Sequence, residues 1–101
     1  MVVVRFKVQC QPDRTEEMAA AMGAVVAPSR ALPGVVHFDV ARDVTDPNAL
    51  IATEVFADRA AMEAQEAQAE VAAVMAVMET GALAAEPEWE VYDAMPAPAE
   101  P

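Results

Sequence analysis

The opening residues MVVVRFKVQC restrict the fold more than any other stretch of the chain. Val2, Val4, Phe6, Val8 and Cys10 alternate with Val3, Arg5, Lys7 and Gln9. That period of two residues belongs to a strand with one buried face. Pro12-Asp13 breaks the pattern, and Asp13 or Thr15 can cap a helix whose first turn carries Glu16 and Glu17. Met18, Met22, Val25 and Val26 then recur at helical spacing, with Ala21 on the same flank. The helix is expected to reach about Ala27, where Pro28 ends or kinks it, and Ser29 to Ala31 can add one short turn. Leu32-Pro33-Gly34 is a firmer stop.

Val36, Phe38 and Val40 alternate with His37 and Asp39 and read as a second strand that ends near Asp43. Thr45-Asp46-Pro47-Asn48 has turn chemistry, and Ala49 to Phe56 is a third strand, so the second and third form an antiparallel hairpin. Asp58 can cap a second helical region, from about Arg59 to Thr80, with Gly81 at its end. Met62, Val71, Val74, Met75 and Met78 form its apolar stripe. Glu88 to Asp93, with Trp89, Val91 and Tyr92, is a last strand. The order β-α-β-β-α-β is the split, ferredoxin-like α+β arrangement: one antiparallel sheet with the helices on one face. Both sets of alternate strand positions are apolar, as in Val35 and Val36, or Ile51 and Val55 against Leu50 and Phe56. The face without helices then needs a second cover, and another subunit's sheet is the natural one, giving a symmetric homodimer.

Composition bounds the rest. With 101 residues and 55% apolar content the chain makes one core, burying roughly 60 to 70% of its unfolded surface. One domain is expected over 1–94, followed by a proline-rich flexible tail, MPAPAEP, over 95–101. Seventeen acidic against six basic side chains give a net charge of -11. Such a field repels phosphate backbones and anionic lipids, which argues against nucleic-acid and membrane-surface partners. No apolar run has the length of a membrane span, and MVVVRFKV lacks a secretory leader, so a cytoplasmic location is the expectation. Arginine outnumbers lysine five to one, which fits either a high-GC genome or adaptation to high salt. One cysteine and one histidine cannot make an internal disulfide or a Cys/His zinc site, and no metal is expected.

Four stretches together resemble the antibiotic biosynthesis monooxygenase family of dimeric α+β barrel proteins: VVVRFKVQCQPDRTEEM, LPGVVHFDVARDVTDPN, ATEVFADRAAMEAQ and PEWEVYDA. The resemblance runs from about Val2 to Ala94. It implies oxidation of an electron-rich phenol or hydroquinone by molecular oxygen without metal, flavin or other cofactor, in an apolar pocket between sheet and helices. Glu54 matches the family's third-strand glutamate. Where many relatives carry an Ala-His pair and a second histidine before a phenylalanine, this chain has AMEAQEAQAEV, with Gln65 and Glu70 at the two places. The third-strand tryptophan of some oxygenase members is Phe56 here. Gln65 can orient a phenol by hydrogen bonding but cannot shuttle a proton near neutrality.

Two residues are candidates for moving a proton. His37 alone has an unperturbed pKa near neutrality. By alternation it shares a face with Val35 and Asp39, which also fits a histidine at a dimer edge beside a carboxylate. Glu54 is an acid in the apolar row Leu50, Ala52, Phe56. Buried without a partner it becomes a general base, and paired with Arg5 or Arg42 it becomes structural. Phe6, Phe38, Phe56, Met62 and Trp89, with Gln65, are the expected substrate-binding residues, though aromatics and methionines also serve as ordinary core. Cys10 reads as an inert buried thiol, and Glu63 to Glu70 as a solvated face. The functional expectation is a cofactor-independent monooxygenase acting on a small phenol or quinol, with Glu54 and His37 managing the proton. Its alternative is a non-catalytic small-ligand-binding or stress-associated dimer of the same fold. A heme-degrading role would need His37 as axial ligand.

Overall fold

The computed structural model describes residues 1–98. Its elements are β1 (Val2–Gln9), α1 (Thr15–Arg30), β2 (Val35–Asp43), β3 (Asp46–Phe56), α2 (Arg59–Glu66), α3 (Ala69–Val77) and β4 (Glu88–Asp93), with a π turn at Met78–Ala82 before the last strand. The four strands form one sheet in the order β2-β3-β1-β4, antiparallel throughout. This is the expected ferredoxin-like arrangement. Alternate residues of β1 are buried, as the opening pattern requires. Phe6, Val8 and Cys10 meet Phe38, Leu50 and Ala52 on the inner face, where Met18, Met22 and Val25 of α1 and Val74 of α3 close the core. A second cluster joins Val2, Val4 and Phe56 to Ala61 and Met62 of α2.

Several boundaries differ from the sequence expectation, each for a tertiary reason. Helix α1 continues through Pro28 to Arg30. Ser29 is fully buried and hydrogen-bonded to α2 and the α2–α3 junction, and Arg30 bonds the Phe38 carbonyl and Asp39, so contacts beyond the proline hold the last turn. Neither Asp13 nor Thr15 caps this helix: Arg14 occupies the cap position without a side-chain bond, and the Thr15 hydroxyl goes to Gln11 and Asn48. The second helical region is two helices, because Gln68 takes an extended conformation between them. Asp58 does cap α2, accepting from the Ala61 amide at 2.9 Å. The hairpin turn is tighter than expected, with β3 beginning at Asp46 and Asp43 accepting from the Thr45 amide and hydroxyl. Pro47 fits there because residues 46–48 precede the stretch of β3 that pairs with β1. Residues 95–98 are exposed and carry no helix or strand, and the remainder of the expected tail lies outside the described residues. No described helix is long and apolar enough to cross a membrane.

Gly34 makes the Leu-Pro-Gly turn possible. Its φ of 81° is left-handed, and a Cβ there would stand 2.7 Å from the Ala61 Cβ. Gly34→Ala therefore combines backbone strain with a clash against α2, and thermal unfolding is expected to show a loss of about 1–3 kcal/mol.

Candidate functional site

Between the inner sheet face and the helices lies a cavity of about 60 Å³, roughly four to six times the space a single water needs. Phe6, Phe38, Val40, Ala52 and Trp89 form its sheet wall, and Met22, Val25, Val71, Val74 and Met75 its helical wall. Phe6 and Trp89 stand opposite each other on β1 and β4, with ring centroids 5.0 Å apart in an edge-to-face arrangement. Trp89 and Met75 are half-exposed at the mouth. The polar lining comes from three residues only: Glu54, Gln65 and Glu66.

Glu54 faces inward because it keeps the alternation of Leu50, Ala52 and Phe56. It lies opposite Val4 and Phe38 and is 5% exposed. Burial first, and then the charge of Glu66, push its carboxyl up to about 7. No arginine neutralises it. Arg5 lies opposite Thr53 on the outer face and pairs with Glu90 and Glu88, while Arg42 pairs with Glu16, so neither is the mate that the sequence offered. Among the described residues no sealed side-chain oxygen or nitrogen lacks a partner, so the Glu54 oxygens reach solvent through the cavity.

Gln65, from the last turn of α2, is 3% exposed. Its Nε2 donates to Ser29 Oγ at 3.1 Å, and that hydroxyl donates to Gln68 Oε1 at 3.0 Å. One serine thus ties α1 to both sides of the α2–α3 break and fixes how Gln65 is presented. Ser29→Ala would strand the Gln65 amide without its acceptor; urea unfolding is expected to register a loss of about 1–3 kcal/mol.

Other expected site residues lie elsewhere. A register shift between Val35 and His37 leaves Val36 as the extra residue, so Val35 lies inward opposite Phe56 while His37 points outward opposite Val55. His37 is therefore exposed on the outer face, away from the cavity, and Asp39 beside it is taken by Arg30 at 3.0 Å. Phe56 and Met62 belong to the second cluster and do not line the cavity. Glu66 lines the cavity although its sequence context, a run of glutamates, reads as a solvated face. Burial, aided by Glu63, raises its carboxyl too. Cys10 is buried, and that burial pushes its thiol up, consistent with an unreactive side chain. Among the described residues, no three His, Cys, Asp or Glu side chains converge to hold a metal ion.

This arrangement has known counterparts. Solved structures superpose closely: one of an antibiotic biosynthesis monooxygenase has TM-score 0.83 at 20% identity, over 95% of this chain and 100% of that one. A candidate antibiotic biosynthesis monooxygenase from Deinococcus radiodurans has TM-score 0.87 at 16% identity, over 99% and 98% of the two chains. The Mycobacterium tuberculosis protein Rv0793 has TM-score 0.84 at 20% identity, over 97% and 98%. At such identities the likeness speaks for the fold. An uncharacterized Synechocystis protein, sll1783, is 32% identical over 62 residues, which are 61% of this chain and 42% of the relative, so this chain matches less than half of that protein's length. The sequence profile of the antibiotic biosynthesis monooxygenase family matches residues 1–77, the segment that carries Glu54, Gln65 and Glu66. By that match the chain belongs to the antibiotic biosynthesis monooxygenase family.

Proposed function

We propose that the protein is a cofactor-independent monooxygenase that oxidises a small phenol or quinol with molecular oxygen, with Glu54 as general base. The observation that carries this reading is a buried, unpaired carboxylate inside an aromatic-walled cavity. Glu54 takes the hydroxyl proton, and the resulting phenolate is electron-rich enough to give an electron to oxygen. No cation is needed to hold it, because Glu54 keeps the proton while the phenolate exists, so the net charge of the cavity is unchanged, and then passes that proton to the departing oxygen. One oxygen atom enters the ring and the other leaves as water with the two hydrogens the ring system loses, so a phenol and O2 give a quinone and H2O. Phe6, Phe38 and Trp89 form the aromatic wall, and Gln65, held by Ser29, orients the ligand.

The outer sheet face carries Val3, Ile51 and Val55 with exposed Val36 and Tyr92, and we place a homodimer contact there. Light scattering is expected to give twice the 10.7 kDa chain mass. That contact would leave the cavity open on the other face of the sheet. The position of His37 favours a second reading, in which the dimer binds a small ligand without turnover, since the only imidazole cannot relay a proton from the cavity. Heme held by His37 would likewise sit on the outer face. Oxygen consumption separates the two readings. Catalysed uptake with a panel of hydroquinones and anthrones should exceed the protein-free rate and rise with pH through about 7 as Glu54 ionises. Uptake equal to the blank across the panel leaves only the ligand-binding reading.

A further inference from the structure

The cavity offers hydrogen-bond acceptors and aromatic rings but no cation. Glu54 and Glu66 supply carboxylates, and no arginine, lysine or histidine lines the space. Each arginine has its ion pair outside: Arg5 with Glu88 and Glu90, Arg14 with Glu17, Arg30 with Asp39, Arg42 with Glu16 and Arg59 with Asp93. Gln65 adds an amide oxygen as a further acceptor, with one of its two Nε2 hydrogens given to Ser29 and the other left for a ligand. Glu54 is 5% exposed, has no hydrogen-bond or ion-pair partner, and lines the cavity. A buried carboxylate is costly unless something of opposite charge meets it. The electron-rich faces of Phe6, Phe38 and Trp89 also attract cations. The space of about 60 Å³ suits a single charged head group, with half-exposed Trp89 and Met75 at the mouth to take a ring.

We propose that the cavity takes a compact organic cation, a protonated alkylamine joined by a short chain to an aromatic ring, with the ammonium held by the Glu54 and Glu66 carboxylates and the ring against Trp89. The proposal rests on the same cavity as the monooxygenase reading, but a ligand whose ammonium meets Glu54 carries any hydroxyl at the far end of its ring, so it fills the cavity without being the phenol that Glu54 deprotonates.

Tyramine, 4-ethylphenol and 3-(4-hydroxyphenyl)propionate test it, because they present one phenol ring with a positive, neutral or negative tail. In NMR titrations of the full chain at pH 7.5, tyramine is expected to bind at least about tenfold tighter than 4-ethylphenol, with the propionate weakest. The perturbed signals should include the Trp89 indole and the Gln65 side-chain amide, which distinguishes the cavity from the acidic surface. Glu66→Gln should cut the tyramine preference to about threefold or less. The proposal is overturned if 4-ethylphenol binds as well as tyramine, if tyramine leaves Trp89 and Gln65 unperturbed, or if the preference survives in both Glu66→Gln and Glu54→Gln. Charge-blind binding together with catalysed oxygen uptake would retain the monooxygenase reading alone. Tyramine preference without any catalysed uptake would retain the cation site alone.

Discussion

Replacing Glu54 with glutamine is expected to lower catalysed oxygen uptake by about a hundredfold to ten-thousandfold, the usual worth of a positioned general base. The same change should leave the folded protein more stable above pH 7. Glu54 holds its proton up to about 7 in the fold and up to an ordinary 4.5 when unfolded. Between those values the folded state binds the extra proton, so stability falls as pH rises from 4.5 to about 7, and the loss is complete above that. The loss amounts to about 3 kcal/mol at most, at 1.36 kcal/mol for each pKa unit. Glutamine keeps the shape and never ionises. After the cost of a buried amide it should recover about 1–2 kcal/mol at pH 8 and nothing at pH 4. Urea midpoints at the two pH values, alongside the uptake assay, read both effects. Lost activity with raised stability is the signature of a group kept for chemistry, whereas a structural carboxylate would lose both together.

Phe56→Ala should produce the largest loss of stability, about 3–5 kcal/mol. Phe56 is 0% exposed, lies opposite Val2 and Val35, and packs under α2 with Ala61 and Met62. Those neighbours sit on a sheet and a capped helix and cannot collapse into the vacated space. Against a total stability of about 5–15 kcal/mol, the variant should approach unfolding at 37 °C in a thermal melt. The milder Phe56→Leu, costing about 1–2 kcal/mol, should leave oxygen uptake per folded molecule unchanged, because the side chain does not line the cavity. A drop in uptake with Phe56→Leu would assign this residue to the site after all.

Strand β1 and the inward row of β3 are legible because a period of two with one buried face has few alternatives, and Glu54 stands out as the acid in that row. The same rule misplaces Val35. One extra residue at Val36 reverses the alternation, and nothing in VVHFDV marks the shift. Alternation still puts His37 and Phe38 on opposite faces, which removes the only imidazole from the cavity. The α2–α3 break is equally silent in EAQAE, which holds no glycine or proline. It depends on Ser29, whose hydroxyl bonds both flanking glutamines across the core. Serine and glutamine are common surface residues, so no local pattern announces a hydrogen-bonded chain of three. Glu66 escapes notice because a helical glutamate beside Glu63 looks solvated until the path of α2 over the sheet is known. Gln65, by contrast, could be found through the family resemblance alone.

The carboxyl carbon of Glu54, followed by 13C NMR across pH, tests the site most directly. A midpoint near 7 that vanishes in Glu54→Gln is the expected result, since the carboxylate is buried, unpaired and repelled by Glu66. A midpoint near the ordinary 4.5 would mean that the group is solvated or paired with a cation. It could then serve neither as a base tuned to neutrality nor as the buried charge that selects a ligand.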